Sequence, residues 1–66
     1  MKITVNGKIV EIKDGETLSG LITEKKLDES RVLASVNKKI VKVGNFSETV
    51  LSENDEVELF CFVSGG

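Results

Sequence analysis

The sequence predicts an α+β fold in which a small mixed sheet packs against one main helix. Three observations lead to this prediction. Short runs of alternating apolar residues lie near both ends of the chain, one segment between them has helical spacing, and turn residues separate the segments. A chain of 66 residues has room for one domain with one small core. We therefore predict a single domain over residues 1–66 with the order β-β-α-β-β-β.

The first two strands are predicted to form a hairpin around Asn6-Gly7. This dipeptide lies between two β-branched runs, residues 3–5 and 8–12. It accepts the positive φ angles of a type I′ turn, and a two-residue loop pairs Val5 with Lys8. The buried face then carries Met1, Ile3, Val5, Val10 and Ile12, and the other face carries Ile9.

A short helix is predicted to follow, with Thr17 as its N-cap. Its apolar residues, at helical spacing, are Leu18, Leu21 and Ile22. The helix is predicted to run to about Lys26. Gly20 weakens it by about 1 kcal/mol relative to alanine, so we expect close packing or a solvent position at this residue.

The remaining strands are predicted at residues 31–36, 40–41 and 56–63. Residues 37–39 turn the chain between the first two of them, and residues 49–51 form a brief element. The isolated aromatic residue Phe46 is expected to close one end of the core. A hairpin, a crossing helix and three further strands are the arrangement of a β-grasp fold.

The charges are divided unevenly along the chain. Residues 1–42 hold all nine basic residues and six acidic ones, whereas residues 43–66 hold five acidic residues and no basic one. This acidic region is expected to be steered toward a basic cleft, although its acids could simply solubilise a turn and a strand edge. The three aromatic residues are not interleaved with basic ones, so nucleic-acid binding is not predicted. No stretch is apolar enough to span a membrane.

The cysteine content predicts a reducing compartment. Cys61 is the one cysteine of the chain, so an internal disulfide cannot form. The N-terminus lacks the apolar run of a signal peptide, and we expect a cytoplasmic protein. A cysteine within an apolar strand is usually a small buried side chain, and no basic residue lies near Cys61 in the sequence to activate its thiol.

The sequence ends in Ser64-Gly65-Gly66, directly after the last predicted strand. Glycine lacks a Cβ atom, so this segment can enter a narrow channel. Three extended residues reach about 10 Å. We predict that residues 64–66 form a flexible tail that presents the carboxylate of Gly66 to a partner's active site. A frayed chain end is the alternative.

Two aromatic residues precede this tail. If the odd-numbered residues of the last strand face the helix, Phe60 and Phe62 are exposed on the other side. Exposed aromatic residues beside a reactive terminus indicate a docking surface, and the alternative is that they pack under a loop or against neighbouring strands. The predicted partner-binding residues are Phe60, Phe62 and Ser64.

The pattern resembles the ubiquitin-like sulfur carriers, and in particular the ThiS family. The resemblance covers essentially the whole chain. It depends on Asn6-Gly7, Gly15-Glu16-Thr17-Leu18, Val36-Asn37, Asp55-Glu56-Val57 and Gly65-Gly66. The chain departs from the usual family pattern at Lys42-Val43, Phe46 and Asn54. The related MoaD carriers of molybdopterin synthesis share the fold and the Gly-Gly end but are usually longer.

The resemblance implies a chemical role for the last two residues. A carboxylate at neutral pH is a poor electrophile and must first be activated. In this family, a partner enzyme resembling ThiF or MoeB uses ATP to adenylate the terminal carboxylate, here that of Gly66. A persulfide derived from a cysteine desulfurase then converts it to a thiocarboxylate, and Gly65 provides clearance. The sulfur is donated to a thiazole synthase of the ThiG type in thiamine biosynthesis.

The chain itself is predicted to be a co-substrate rather than an enzyme. It contains no histidine and no glycine-rich phosphate loop, so the ATP site is expected on the partner. We expect no cofactor and no metal to bind this chain. The alternatives are a MoaD-like carrier for molybdopterin, a ubiquitin-like protein modifier joined to lysines through Gly66, and a binding module whose Gly-Gly end is incidental.

Overall fold

A computed structural model describes residues 1–61 of the chain. Over these residues there are five strands: β1 (Lys2–Val5), β2 (Lys8–Glu11), β3 (Val32–Val36), β4 (Lys39–Val41) and β5 (Glu56–Cys61). One α-helix, α1 (Leu18–Glu24), lies between β2 and β3. Two 3-10 helices cover Glu29–Arg31 and Val43–Glu48. This order confirms the predicted β-β-α-β-β-β arrangement.

The five strands form one mixed sheet in the order β2-β1-β5-β3-β4. The central strand β5 is parallel to β1, and all the other neighbouring pairs are antiparallel. The last strand of the chain is therefore inserted between β1 and β3. As a result, the residues that follow Cys61 start from the middle of the sheet.

Two hairpins are closed by two-residue turns in the left-handed region. Asn6 and Gly7 have φ angles of 50° and 83°, and Val5 pairs with Lys8 as predicted. Asn37 and Lys38 have φ angles of 52° and 70°. This second turn is one residue shorter than predicted, because Lys39 already belongs to β4 and pairs with Val36.

Helix α1 begins and ends with recognisable caps. The Thr17 hydroxyl accepts a hydrogen bond from the Gly20 N–H at 3.0 Å, which confirms the predicted N-cap. The helix ends at Glu24, two residues before the predicted end. Lys26 adopts a φ of 60°, and the N–H groups of Lys26 and Leu27 return to the carbonyls of Thr23 and Ile22. This is a Schellman motif, which ends the helix although apolar spacing continues to Leu27.

The helix covers one face of the sheet and encloses a single core. Phe46 is buried, as predicted, and lies in the 3-10 helix Val43–Glu48 that packs beside α1. Ile9 is 77% exposed on the opposite face, also as predicted. The buried apolar residues are Ile3, Val5, Ile12, Leu18, Leu21, Ile22, Val32, Ala34, Phe46, Leu51, Val57 and Leu59.

Two further segments differ from the sequence predictions. β3 starts at Val32 rather than residue 31, because the Asp28 carboxylate accepts hydrogen bonds from the hydroxyl and N–H groups of Ser30 and caps a 3-10 turn. These two hydrogen bonds lower the pKa of Asp28. Residues 49–51 contribute one isolated bridge, between Thr17 and Val50, rather than a strand.

Candidate functional site

The central strand β5 brings the chain to the base of the predicted tail. It pairs with β3 over five of its six residues, from Val57 opposite Val36 to Cys61 opposite Val32. The predicted site residues Phe62, Ser64, Gly65 and Gly66 lie outside the described residues. Five residues that follow Cys61 reach at most about 18 Å when extended. A reacting group at Gly66 is therefore tied to within that distance of the end of β5.

Phe60 lies on the open face of the sheet, as predicted, and is 55% exposed. It pairs with Leu33 on β3, which is 39% exposed. Ile40 on the neighbouring strand β4 is 69% exposed and pairs with Ser35. These three apolar side chains, Leu33, Ile40 and Phe60, form what we call the open-face patch.

The open-face patch borders a shallow pocket of about 270 Å³. Its lining also contains the polar residues Ser35, Lys38 and Glu58. The Ser35 hydroxyl donates a hydrogen bond to Glu58 Oε1 at 3.3 Å. The surface next to the base of the tail therefore combines exposed apolar side chains with polar ones, as protein interfaces do.

Four of the five acidic residues of the second half of the chain divide into two groups. Glu53 and Asp55 accept hydrogen bonds from the N–H groups of Lys2 and Ser52 at the turn before β5. Glu56 and Glu58 are exposed and share the side of β5 that carries Phe60. The fifth, Glu48, is also exposed and lies in the 3-10 helix Val43–Glu48. The carboxylates beside the open-face patch are therefore those on β5.

Cys61 is exposed, so the expectation of a buried cysteine is wrong. It belongs to the last pair of the β3–β5 ladder and lies beyond Leu59, the last buried residue of β5. Strand alternation places Cys61 on the covered side, but core residues no longer surround it there. Within residues 1–61 no group of three His, Cys, Asp or Glu side chains could hold a metal ion.

Sequence reasoning missed one residue beside β5. Asn6 was considered only for its turn, but its side-chain amide exchanges two hydrogen bonds with Leu59. The Leu59 N–H donates to Asn6 Oδ1 at 2.8 Å, and Asn6 Nδ2 donates to the Leu59 carbonyl at 3.1 Å. No local pattern could indicate this contact, because 53 residues separate the two partners.

A comparison with protein families shows to which family this chain belongs. The sequence model of the ThiS family matches residues 3–66. The chain belongs to the ThiS family. This confirms the resemblance to ubiquitin-like sulfur carriers on which the sequence analysis depended.

The fold agrees with solved structures of this family. The crystal structure of a thiamine biosynthesis protein, ThiS, from Geobacter metallireducens is 26% identical and has a TM-score of 0.83, with full coverage of both chains. A solution structure of a thiamine biosynthesis protein from the same organism is 28% identical and has a TM-score of 0.78, covering 100% of this chain and 88% of the other. These likenesses confirm the β-grasp fold.

The chain is also similar to part of two longer proteins. It is 35% identical over 66 residues to a thiazole synthase from Magnetococcus marinus and 26% identical to one from Paramagnetospirillum magneticum. Each match covers all of this chain but 20% of the relative. The chain thus spans about one fifth of the length of the curated relatives it matches. In the part of the chain that the structure describes, no helix is long and apolar enough to cross a bilayer.

Proposed function

We propose that this protein is a sulfur carrier of thiamine biosynthesis in which the carboxylate of Gly66 is the reacting group. The observation that carries the proposal is the position of β5. This strand lies in the centre of a ThiS-family fold, has an exposed apolar patch on its open side, and is followed within five residues by Gly65-Gly66. The body of the protein then presents its own chain end to other enzymes.

The proposed chemistry starts with activation of a poor electrophile. A Gly66 carboxylate oxygen attacks the α-phosphate of ATP, pyrophosphate leaves, and an acyl-adenylate results. The terminal sulfur of a persulfide then attacks the acyl carbon, and AMP leaves with the bonding electron pair. The product is an acyl disulfide, which a second thiol cleaves by attacking the sulfur that belongs to the persulfide-bearing cysteine, so that the sulfur bonded to the acyl carbon leaves with the electron pair. This releases a thiocarboxylate on Gly66 and a disulfide between the two thiols.

The partners in this scheme supply the functional groups that the chain lacks. The sequence has no histidine and no phosphate-binding loop motif, so ATP binds to an adenylating enzyme of the ThiF or MoeB type. The persulfide comes from a cysteine desulfurase. The protein is proposed to act as a co-substrate without a cofactor of its own. A cytoplasmic location is proposed too, and ATP use together with a lone cysteine supports it.

A thiazole synthase is the proposed acceptor of the sulfur. The support comes from the longer relatives, because a segment resembling this whole chain makes up 20% of each thiazole synthase. Carrying both parts in one polypeptide raises the effective concentration of one for the other. We propose that a synthase of the ThiG type accepts the sulfur from this carrier.

The open-face patch is the proposed docking surface for these enzymes. A partner that covers Leu33, Ile40 and Phe60 removes exposed apolar area from water. It also places its active site within reach of Gly66, at most about 18 Å from Cys61. Phe62 and Ser64 are proposed to contact the partner along the path between the patch and Gly66.

The proposal is tested on the native chain end. The protein is purified from its host, and the peptide that follows Glu58 is released by cleavage after glutamate. Its mass is expected to show Gly66 as the last residue and to include a fraction with one oxygen replaced by sulfur. Because oxidation of Cys61 adds one oxygen of nearly equal mass, the same peptide is measured in a Cys61→Ser variant. Persistence of the shift in this variant supports the proposal, and its loss contradicts it.

A reconstituted reaction completes the test. With ATP and the adenylating enzyme, the wild-type chain is expected to release pyrophosphate, whereas a variant with one added tryptophan after Gly66 and a variant lacking Gly66 are not. Release by either variant contradicts the proposal that the carboxylate of Gly66 is specifically required. Products joined to Gly66 through isopeptide bonds in cell extracts would instead indicate a protein modifier. Transfer of the sulfur to molybdopterin synthesis and not to thiazole synthesis would indicate a MoaD-like carrier.

A further inference from the structure

The central strand β5 is supported unequally by its two neighbours. On one side β3 pairs with five consecutive residues of β5, from Val57 to Cys61. On the other side β1 pairs only with Glu56 and Val57. Beyond Val57, the side of β5 that faces β1 therefore has no neighbouring strand.

Asn6 occupies this gap. Its backbone N–H donates to the Val57 carbonyl at 2.9 Å. Its side-chain amide then bonds both backbone polar groups of Leu59, at 2.8 and 3.1 Å. The amide presents one donor and one acceptor, as a residue of a neighbouring strand does. Asn6 thus extends the support of β5 by two residues toward the base of the tail.

Leu59 is the last described residue of β5 whose backbone is hydrogen-bonded on the side that faces β1. Its N–H and C=O point toward Asn6, so in an alternating ladder those of Phe60 point toward β3. Fixing Leu59 therefore constrains the direction of β5 toward its described end, whereas Phe60 is positioned by its pairing with Leu33.

We propose that Asn6 is a positioning residue for the reaction of Gly66, because its side-chain amide holds β5 at Leu59 and so aims the tail. This inference rests on the proposed function. A group delivered into an active site reacts at a rate that depends on the fraction of time it is aligned. Loss of the amide is expected to reduce turnover of the bound carrier while docking through the open-face patch remains, because Phe60 stays paired with Leu33.

The turn itself is the competing explanation for Asn6. Asn6 and Gly7 both have positive φ, and asparagine is favoured there without any side-chain bond. Asn6→Gly separates the two roles, because Gly-Gly also forms this turn but has no amide to offer. Asn6→Asp is a second variant that keeps an Asp-Gly turn and places a carboxylate against the Leu59 carbonyl, which opposes the contact.

Asn37 provides a matched control at the opposite end of β5. It too has a positive φ in a hairpin turn, and its Oδ1 accepts a hydrogen bond from the Glu56 N–H at 3.0 Å. Its backbone N–H donates to the Glu56 carbonyl at 2.7 Å. Glu56 is the first residue of β5, whereas Leu59 is two residues from its described end. Asn37→Gly removes a similar contact far from the tail.

The experiment compares Asn6→Gly, Asn6→Asp and Asn37→Gly in the full chain, as substrates of the adenylating enzyme. For both Asn6 variants, kcat for pyrophosphate release is expected to fall by about three- to tenfold, the range set by one or two lost hydrogen bonds, with KM within about twofold. For Asn37→Gly both constants are expected to stay within about twofold of the wild type. Hydrogen exchange at the Leu59 amide is expected to accelerate by about tenfold in Asn6→Gly alone, because the carboxylate of Asn6→Asp still accepts from the Leu59 N–H.

Each outcome bears on the inference. An equal fall in kcat for Asn37→Gly would show that general destabilisation is responsible, and would overturn it. Unchanged kcat in Asn6→Gly despite faster exchange at Leu59 would also overturn it, while leaving the proposed function intact. Absence of pyrophosphate release from the wild type would instead refute the proposed function, and the positioning role with it.

Discussion

The two faces of β5 differ in what their side chains contact. On the covered face Val57 is fully buried and Leu59 is 6% exposed, and both belong to the core under α1. On the open face Glu58 is exposed and Phe60 is 55% exposed. One strand of alternating residues thus contributes to stability through one face and leaves the other face available for a partner. Substitutions at neighbouring positions should therefore have different consequences.

The largest effect is expected at Leu59. Leu59→Ala removes a buried side chain and leaves a cavity beneath α1, so the free energy of unfolding should fall by about 2–5 kcal/mol. Urea denaturation followed by circular dichroism measures this loss. Phe60→Ala, one residue away, should change the same quantity by less than about 1 kcal/mol. Equal losses for the two variants would contradict the division between the faces.

An effect on binding is expected at Phe60. Phe60→Ala should raise the KM of the carrier for the adenylating enzyme by about tenfold, as for a hot-spot residue, with little change in kcat. Ile9→Ala is the control, because Ile9 is 77% exposed on β2, at the edge of the sheet away from the open-face patch. Steady-state kinetics at varied carrier concentration give KM and kcat for both variants. A similar rise in KM for Ile9→Ala would extend the docking surface to the whole open face.

The smallest effect is expected within the helix that covers the core. A Cβ atom at Gly20 would overlap the carboxylate of Glu16, which is itself buried. Gly20→Ala should therefore gain less than the roughly 1 kcal/mol of its helix propensity. In a Glu16→Ala background the same substitution should gain the full amount. Thermal denaturation of the four proteins measures this coupling, and equal gains in both backgrounds would show that Glu16 does not limit residue 20.

The sequence alone does not decide whether Gly20 is closely packed or faces solvent. Helical spacing identified α1 and its buried residues, but a glycine in such a pattern is compatible with close packing or with solvent. The structure decides for close packing, since the Glu16 side chain folds back over the first turn. Glu16 and Gly20 are only four positions apart, but their contact depends on a side-chain conformation that residue patterns do not specify.

Several features follow from the sequence because their causes are local. Asn6-Gly7 determines a two-residue turn, and the turn length determines the register of β1 and β2. Thr17 caps α1 through a bond to a residue three positions away. The alternation in β5 places Phe60 opposite Leu59 across the sheet. In each case backbone geometry relates residues that are close neighbours in the chain.

Other features were decided only when distant segments came together. The sequence does not state that β5 lies between β1 and β3, and this insertion sets both the starting point of the tail and the neighbours of Phe60. Cys61 is exposed although alternation along β5 places it on the covered face, opposite the buried Val32. The Asn6 amide meets Leu59 because a short β1 leaves one side of β5 without a strand. Periodic patterns in the sequence indicate which face of a helix or strand is apolar. A contact between residues 53 positions apart depends instead on how all the elements pack together.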